Sequence, residues 1–255
     1  MSTAPKKELG QHFLVDENIL CVIGRLAALD EDDVVLEVGP GLGVLTRFLV
    51  RRVRLVHAVE VDRSLEPHLP RSEAVRLHWG DALALDPAVL EPPPTKLVAN
   101  LPYNIATPLV VESLAGMPTV QSWCVMVQRE VADRLFARPS TKAYGAVSVL
   151  VQLAAERTGV HRVSREVFRP RPNVDSTLVA FRRRGPLPGD WPHVKLIVEA
   201  AFAHRRKTLP NSLQLAGFGE RSRTVEALER LGQTPSVRAE ELEPGEFVAL
   251  AEALR

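Results

Sequence analysis

Asn100-Leu101-Pro102-Tyr103 is the stretch of this chain whose residue types most directly suggest chemistry. The Asn100 side-chain oxygen and the Leu101 carbonyl can both accept hydrogen bonds from an amine. An exocyclic amine on an aromatic ring is a poor nucleophile, because its lone pair is delocalised into the ring. Two acceptors aimed at its hydrogens favour the pyramidal nitrogen that attacks, a preorganised electrostatic effect. Pro102 fixes its own φ and removes a competing donor, which helps hold the Leu101 carbonyl in place. Tyr103 offers a flat face for a heterocyclic base, a stack worth about 1–3 kcal/mol. A base held in this way must be out of its helix, either flipped or in a loop. The plain alternative is a turn, since Asn and Pro are turn residues.

Three further groups precede this stretch at regular intervals. Val34–Val38 is a short apolar run that leads into Gly39-Pro40-Gly41-Leu42-Gly43, with Glu37 two residues ahead of the first glycine. Glycines let a backbone turn tightly at the end of a strand and approach a ligand closely. The spacing is neither the dinucleotide G-x-G-x-x-G nor a phosphate loop, so nothing here is built to cradle a diphosphate. Glu60 ends the next apolar run and can accept hydrogen bonds from both hydroxyls of a ribose. Asp81 follows a third run and can receive the amino group of an adenine. Alone, Glu60 reads equally as a solvated strand-end carboxylate and Asp81 as a helix N-cap. Together they point to an adenosine-containing cofactor at the carboxyl ends of consecutive strands, where open α/β sheets bind ligands.

The elements that must position these groups follow from periodicity. A helix is expected over 16–29 with Asp16 as N-cap, then strands at Val34–Val38, Leu55–Glu60, Val75–Trp79, Lys96–Ala99 and Ser122–Val127. Helices are expected over 44–51, over 108–115 with Pro108 in the first turn, and after residue 127. Two more strands are expected near 158–163 and at Thr177–Arg182. Such alternation means a mostly parallel sheet covered by helices on both faces. Gly185-Pro186-Leu187-Pro188-Gly189 breaks the pattern. Beyond it the helical periods 192–204, 207–216, 222–231 and 245–254 suggest a small all-helical second domain. The expected domains are therefore 1–185 and 186–255.

Composition narrows the setting. The chain has 255 residues, 45% of them apolar, enough to bury a sizeable core. Charge is nearly balanced, but eleven of the 32 basic side chains fall between residues 161 and 207 against four acidic ones. That block can attract phosphates, or it can be a solvated arginine-rich surface. The two cysteines, Cys21 and Cys124, sit in apolar stretches and are expected as buried free thiols of a reducing compartment. No leader-like segment and no apolar run of bilayer length are seen. The seven histidines are scattered, and no metal is expected. These features fit a cytoplasmic protein, and nothing suggests an obligate dimer, so a monomer is expected.

The residues also carry a family resemblance. Asn100–Tyr103 fits the Asn-Leu-Pro-Tyr variant of a pattern found in amine methyltransferases. Lys7-Glu8-Leu9-Gly10-Gln11-His12-Phe13-Leu14 resembles the amino-terminal signature of the ribosomal RNA adenine dimethyltransferases, and Glu37–Gly43 resembles their cofactor loop. Asn100–Pro108 is similar to their catalytic segment. Lys142-Ala143-Tyr144-Gly145, Phe168–Ser176 and Arg205-Arg206-Lys207-Thr208-Leu209 follow in order, so the likeness runs from about residue 6 to about residue 250. Within the family the small-subunit (KsgA) type is most similar, and Asn104–Thr107 and Val174-Asp175-Ser176 favour it. The resemblance implies a Rossmann-like S-adenosylmethionine-dependent methyltransferase. It implies dimethylation of the N6 amines of two adjacent adenosines near the 3′ end of 16S rRNA, on the RNA or the assembling small subunit.

It further implies catalytic roles for Asn100, Leu101, Pro102 and Tyr103, and cofactor contacts from His12, Leu14, Gly39, Gly41, Glu60, Asp81 and Asn100. Arg165, Arg169, Arg171, Arg205, Arg206 and Lys207 are the candidate RNA contacts, fixing orientation through phosphates without reading sequence. Two departures stand out. His12 occupies a position that is commonly Asn, and Pro210 one where many members carry a basic residue. Rival readings are a macrolide-resistance methyltransferase acting on large-subunit rRNA and a non-catalytic ribosome-assembly protein with the same fold. A DNA-adenine or protein-glutamine methyltransferase would explain the tetrapeptide but not the amino-terminal signature.

Overall fold

The computed structural model describes residues 11–255. The Lys7–Gly10 part of the amino-terminal signature lies outside the described residues. In chain order the elements are β1 (Phe13–Leu14), α1 (Glu17–Leu26), β2 (Val34–Val38), α2 (Val44–Leu49), β3 (Leu55–Glu60), β4 (Val75–Trp79), β5 (Lys96–Asn100), α3 (Ala106–Gly116), β6 (Ser122–Gln128) and α4 (Arg129–Leu135). They continue with α5 (Ala146–Ala154), β7 (Ala155–Val163), β8 (Phe168–Arg169), β9 (Ser176–Arg183), α6 (Trp191–Ala203), α7 (Leu209–Leu215), α8 (Arg221–Arg230) and α9 (Pro244–Ala253).

Seven strands form one sheet in the order β4-β3-β2-β5-β6-β9-β7. The pairs β2·β3, β3·β4, β2·β5 and β5·β6 are parallel, whereas β9 runs antiparallel to β6. All five residues of β2 are buried, which is why its sequence is a run rather than an alternation. The chain builds outward through β3 and β4, then restarts on the other side of β2 with β5 and β6. The strand order therefore reverses between β2 and β5, and the crevice at that switch point is where such sheets bind ligands.

Helix α1 begins as its sequence suggests: Asp16 Oδ1 accepts the Asn18 N–H at 2.8 Å. Its Ile19, Leu20 and Ile23 join Val35, Val56, Val98 and Met126 in one apolar cluster. Cys124 belongs to the same cluster, and burial pushes its thiol up to about 12. Cys21, expected to be buried, is exposed, because it lies off the face that carries Ile19 and Ile23. Arg183, at the end of β9, donates to the Leu114, Met117 and Val120 carbonyls, so it satisfies acceptors at and beyond the end of α3.

The chain divides into two compact units. The first holds residues up to Ala132 together with Glu156–Arg183, and the second holds Asp133–Ala155 together with Arg184–Arg255. The expected boundary near residue 185 thus misses a segment: 133–155 belongs with the carboxy-terminal helices. The physical reason is α5, whose Val149, Leu150 and Val151 are buried and which packs on α6 and α9. The neighbouring Tyr144 is fully buried, and its hydroxyl donates to the Leu242 carbonyl at 2.8 Å. Its ring meets Phe202 edge-on, and Phe202 in turn stacks on Phe247. Among the described residues no helix is long and apolar enough to cross a membrane.

Candidate active site

The ends of β2, β3, β4 and β5 converge on a cavity of about 210 Å³ in the first unit. Gly39 and Gly41 sit at φ 72° and 57°, in the left-handed region where side chains are strained. A Cβ on Gly41 would lie 2.8 Å from the Phe13 ring, and one on Gly39 would lie 3.0 Å from Pro102. The turn is therefore pressed between the amino-terminal strand and the Asn100–Tyr103 segment, and only glycine lets the three meet.

Glu60, 6% exposed, is held by backbone donors: Gly41 N at 3.2 Å on one oxygen, Val61 N at 3.0 Å and Asp62 N at 2.9 Å on the other. Burial raises its pKa, and the three N–H groups pull the other way. The carboxylate is thus fixed in place with further lone-pair capacity towards the cavity. Asp81 Oδ1 accepts the Leu83 N–H at 2.9 Å, the turn-capping arrangement. Asp81 is exposed and also lines the cavity, so capping and ligand binding are compatible in one side chain.

Glu37 is a site residue to which residue type and spacing alone assign no role. It is 1% exposed within an otherwise apolar strand and lines the same cavity. Burial pushes its carboxyl up to about 8. Thr46 lies near enough to favour the charged form in part, yet Glu37 Oε2 and Thr46 Oγ1 both lack a well-formed hydrogen bond. A buried carboxyl oxygen without a partner in a ligand cavity awaits a donor or a cation. Its signal in the sequence is a lone carboxylate inside a buried strand.

The other wall is the Asn100 segment. Asn100 Nδ2 donates to the His12 carbonyl at 3.0 Å. A carbonyl can only accept, so the amide must present its NH₂ to His12, which leaves Oδ1 as the acceptor on the other side. His12 Nδ1 pairs with the Pro170 carbonyl at 2.8 Å, so this nitrogen carries the proton. The His12 ring lies 5.4 Å from the Tyr103 ring, tilted by 32°. The Tyr103 hydroxyl is 2.7 Å from Ser176 Oγ. Burial raises the Tyr103 pKa, so the phenol stays protonated near neutral pH. The amino-terminal segment is itself tied down: β1 pairs antiparallel with β8, Phe13 facing Arg169 and Leu14 facing Phe168. Gln11 Nε2 donates to Asp62 Oδ2 at 3.0 Å.

The structure brings His12, Leu14, Gly39, Gly41, Glu60, Asp81 and Asn100–Tyr103 to this one cavity. The arginines expected to bind RNA are placed differently. In the first unit Arg165 donates to the Asn173 carbonyl, Arg169 to the Glu166 and Phe168 carbonyls, and Arg171 pairs with Glu166 at 2.8 Å. In the second unit Arg205 donates to the Tyr144 carbonyl and pairs with Glu240 at 3.2 Å. Arg206 and Lys207 are exposed and unpaired among the described residues. Pro210 is buried in the first turn of α7, a position a proline suits.

A family model described as Ribosomal RNA adenine dimethylase matches residues 3–255. The chain belongs to that family. It is an S-adenosylmethionine-dependent methyltransferase with the α/β fold of the group, and the site fits the cofactor. The unpartnered Glu37 oxygen, the fixed Glu60 carboxylate and the glycine turn supply acceptors and room where an adenosine with a cationic tail would need them. Among known proteins the chain is 51% identical to Ribosomal RNA small subunit methyltransferase A of Rubrobacter xylanophilus, over 96% of this chain and 94% of that one. It is 45% identical to the protein of the same name from Kineococcus radiotolerans, over 98% and 86%. The 23S rRNA methyltransferase ErmE is similar at 30% identity and TM-score 0.66, covering 95% of this chain and 99% of ErmE. A dimethyladenosine transferase from Plasmodium falciparum shares the fold at TM-score 0.78 and 24% identity, over 94% and 96%.

Proposed function

We propose that this enzyme transfers methyl groups to the N6 amines of two adjacent adenosines in a loop near the 3′ end of 16S rRNA, two on each, during assembly of the small ribosomal subunit. The observation that carries this reading is the forced orientation of Asn100. Its NH₂ is spent on His12, so Oδ1 is free to accept from an amine beside the Tyr103 ring. Two relatives named for the small subunit match at 51% and 45% identity, against 30% for the 23S enzyme, which supports the small-subunit substrate over the large.

In this reading Glu60 takes the ribose hydroxyls of the cofactor, Asp81 its adenine amine and Glu37 its ammonium group. Bound S-adenosylmethionine supplies an activated methyl on a sulfonium, so no strong general base is required. Asn100 Oδ1 and the Leu101 carbonyl accept the two N6 hydrogens and hold the amine pyramidal. Tyr103 stacks the flipped base, and Pro102 keeps the Leu101 carbonyl in register. The chain's main work is alignment and exclusion of water. After the first methyl is placed, one N–H remains, and a single acceptor suffices for the second. Arg165, Arg169, Arg171, Arg205, Arg206 and Lys207 contact phosphates, with Arg206 and Lys207 the least engaged within the protein. The enzyme acts as a monomer in the cytoplasm, a setting its two free cysteines support.

The test is subunit choice. Methyl-labelled cofactor is supplied with unmethylated small or large subunits. Label in the small subunit alone is expected, and label in the large subunit would overturn the substrate assignment.

A further inference from the structure

We propose that Ser176 is a positioning residue for the target base, acting through Tyr103. The proposal rests on the reading of Tyr103 as the stacking platform. Ser176 is 1% exposed and is not among the residues lining the cavity, yet its hydroxyl meets the Tyr103 hydroxyl at 2.7 Å.

The topology explains how a residue so far along the chain reaches the site. Parallel strands all end on the ligand side of the sheet, but β9 is antiparallel and begins there. Ser176 is its first residue and pairs with Gln128 at the end of β6, while Met126 of β6 pairs with Asn100 at the end of β5. The segment before it is anchored on two sides. The Asp175 carbonyl accepts Arg129 N at 3.1 Å, Asp175 Oδ1 accepts Arg165 N at 3.3 Å, and the Asn173 carbonyl accepts the Arg165 guanidinium at 3.2 Å. Asn173-Val174-Asp175-Ser176, which the residue types alone left without a chemical role, thereby becomes the fixture that presents one hydroxyl to one phenol.

The consequence is orientational. Tyr103 is tethered at its hydroxyl end by Ser176, and its ring also meets the His12 imidazole. A ring free to tilt would still stack a base, but would carry the amine nitrogen out of line with the methyl group. Misalignment of this kind lowers the rate of transfer without touching cofactor binding.

The test is a double-mutant cycle on the full-length enzyme with Ser176→Ala, Tyr103→Phe and the pair, alongside Tyr103→Ala. Methyl transfer to small subunits and binding of S-adenosylhomocysteine are measured for each. Each single change removes the same bond and is expected to lower kcat/KM by about 5–10-fold. The double variant is expected to fall no lower than the worse single one, with S-adenosylhomocysteine affinity within about twofold of native throughout. Losses that multiply in the double variant would overturn the proposal, as would native kinetics in either single one. A parallel loss of S-adenosylhomocysteine affinity would also overturn it, showing general loosening. Should Ser176→Ala fail to fold, Tyr103→Phe alone still decides, since native kinetics there sink the idea. Tyr103→Ala separates the two readings. Retained activity would reject the platform itself, whereas a large loss combined with multiplying singles would reject only the role of Ser176.

Discussion

Replacing Glu37 with glutamine is expected to stabilise the cofactor-free protein while weakening its hold on the cofactor. The carboxyl is 1% exposed, and burial lifts it from an ordinary value near 4.5 to about 8. Between those values the folded protein binds a proton that the unfolded chain has lost. Stability therefore falls as pH rises through this window and levels off above about 8. At about 1.4 kcal/mol per pH unit, the upper limit at pH 7.5 is on the order of 4 kcal/mol, of which structural relaxation should leave about 1–3. Glutamine keeps the shape, carries no charge and offers Thr46 Oγ1 a donor. Melting curves at pH 5 and pH 8 are the assay, with and without S-adenosylhomocysteine. At pH 8 without ligand, Glu37→Gln should melt roughly 3–10 °C above native. At pH 5 the gap should shrink. With ligand the order should reverse in benefit: native gains more, because an ammonium group pairs with ionised Glu37. Native affinity should rise with pH between about 6 and 8, at most tenfold per unit, and the variant should lack that slope. A variant less stable than native at pH 8 without ligand would refute the reasoning. So would an unchanged pH profile of ligand affinity.

Other consequences follow from the same geometry. Buried His57 and its neighbour His78 share a 3.0 Å contact, and His57 Nε2 pairs with the Pro92 carbonyl at 2.8 Å. Burial lowers both pKa values, so the stability held by the neutral pair is complete above about pH 6.5 and is lost as pH falls below it. His78→Gln keeps a donor for His57 and should flatten the acid side of a melting-temperature profile between pH 5 and 7. Gly41→Ala places a Cβ 2.8 Å from the Phe13 ring at φ 57°. The left-handed conformation alone costs about 1–2 kcal/mol, and S-adenosylhomocysteine affinity measured by calorimetry should fall about tenfold or more. Arg206→Ala with Lys207→Ala should weaken small-subunit binding and reduce its salt dependence by about one ion per residue, leaving affinity for S-adenosylhomocysteine unchanged.

The central parallel strands were legible because each is a short, mainly apolar run with a polar ligand group at or just beyond its end, as in Val34–Val38 and Leu55–Glu60, even though Glu37 and His57 interrupt them. Helix α1 declared itself by Asp16 and an apolar stripe. What stayed hidden depends on contacts distant in sequence. The two-residue pairing of β1 with β8 is too short to have a pattern of its own. Helix α5 is apolar on nearly every side, so its period is blurred, and only its packing on α6 and α9 assigns 133–155 to the second unit. Within the site, the motif residues Asn100, Tyr103 and Glu60 could be read from type and spacing. The fixed direction of the Asn100 amide could not, since it is set by a carbonyl 88 positions away. The raised pKa of Glu37 likewise reflects burial that no local window encodes.

On the proposed mechanism, Asn100 presents an acceptor to an adenine amine. The most direct measurement is to digest small-subunit RNA after reaction and identify the labelled nucleoside, with native enzyme and with Asn100→Ala. N6,N6-dimethyladenosine is expected with the native enzyme. With Asn100→Ala a rate lower by about 10²–10³-fold is expected, while S-adenosylhomocysteine binding stays within tenfold of native. Dimethyladenosine formed at the native rate by Asn100→Ala, or label on any nucleoside other than adenosine, would overturn this role for Asn100.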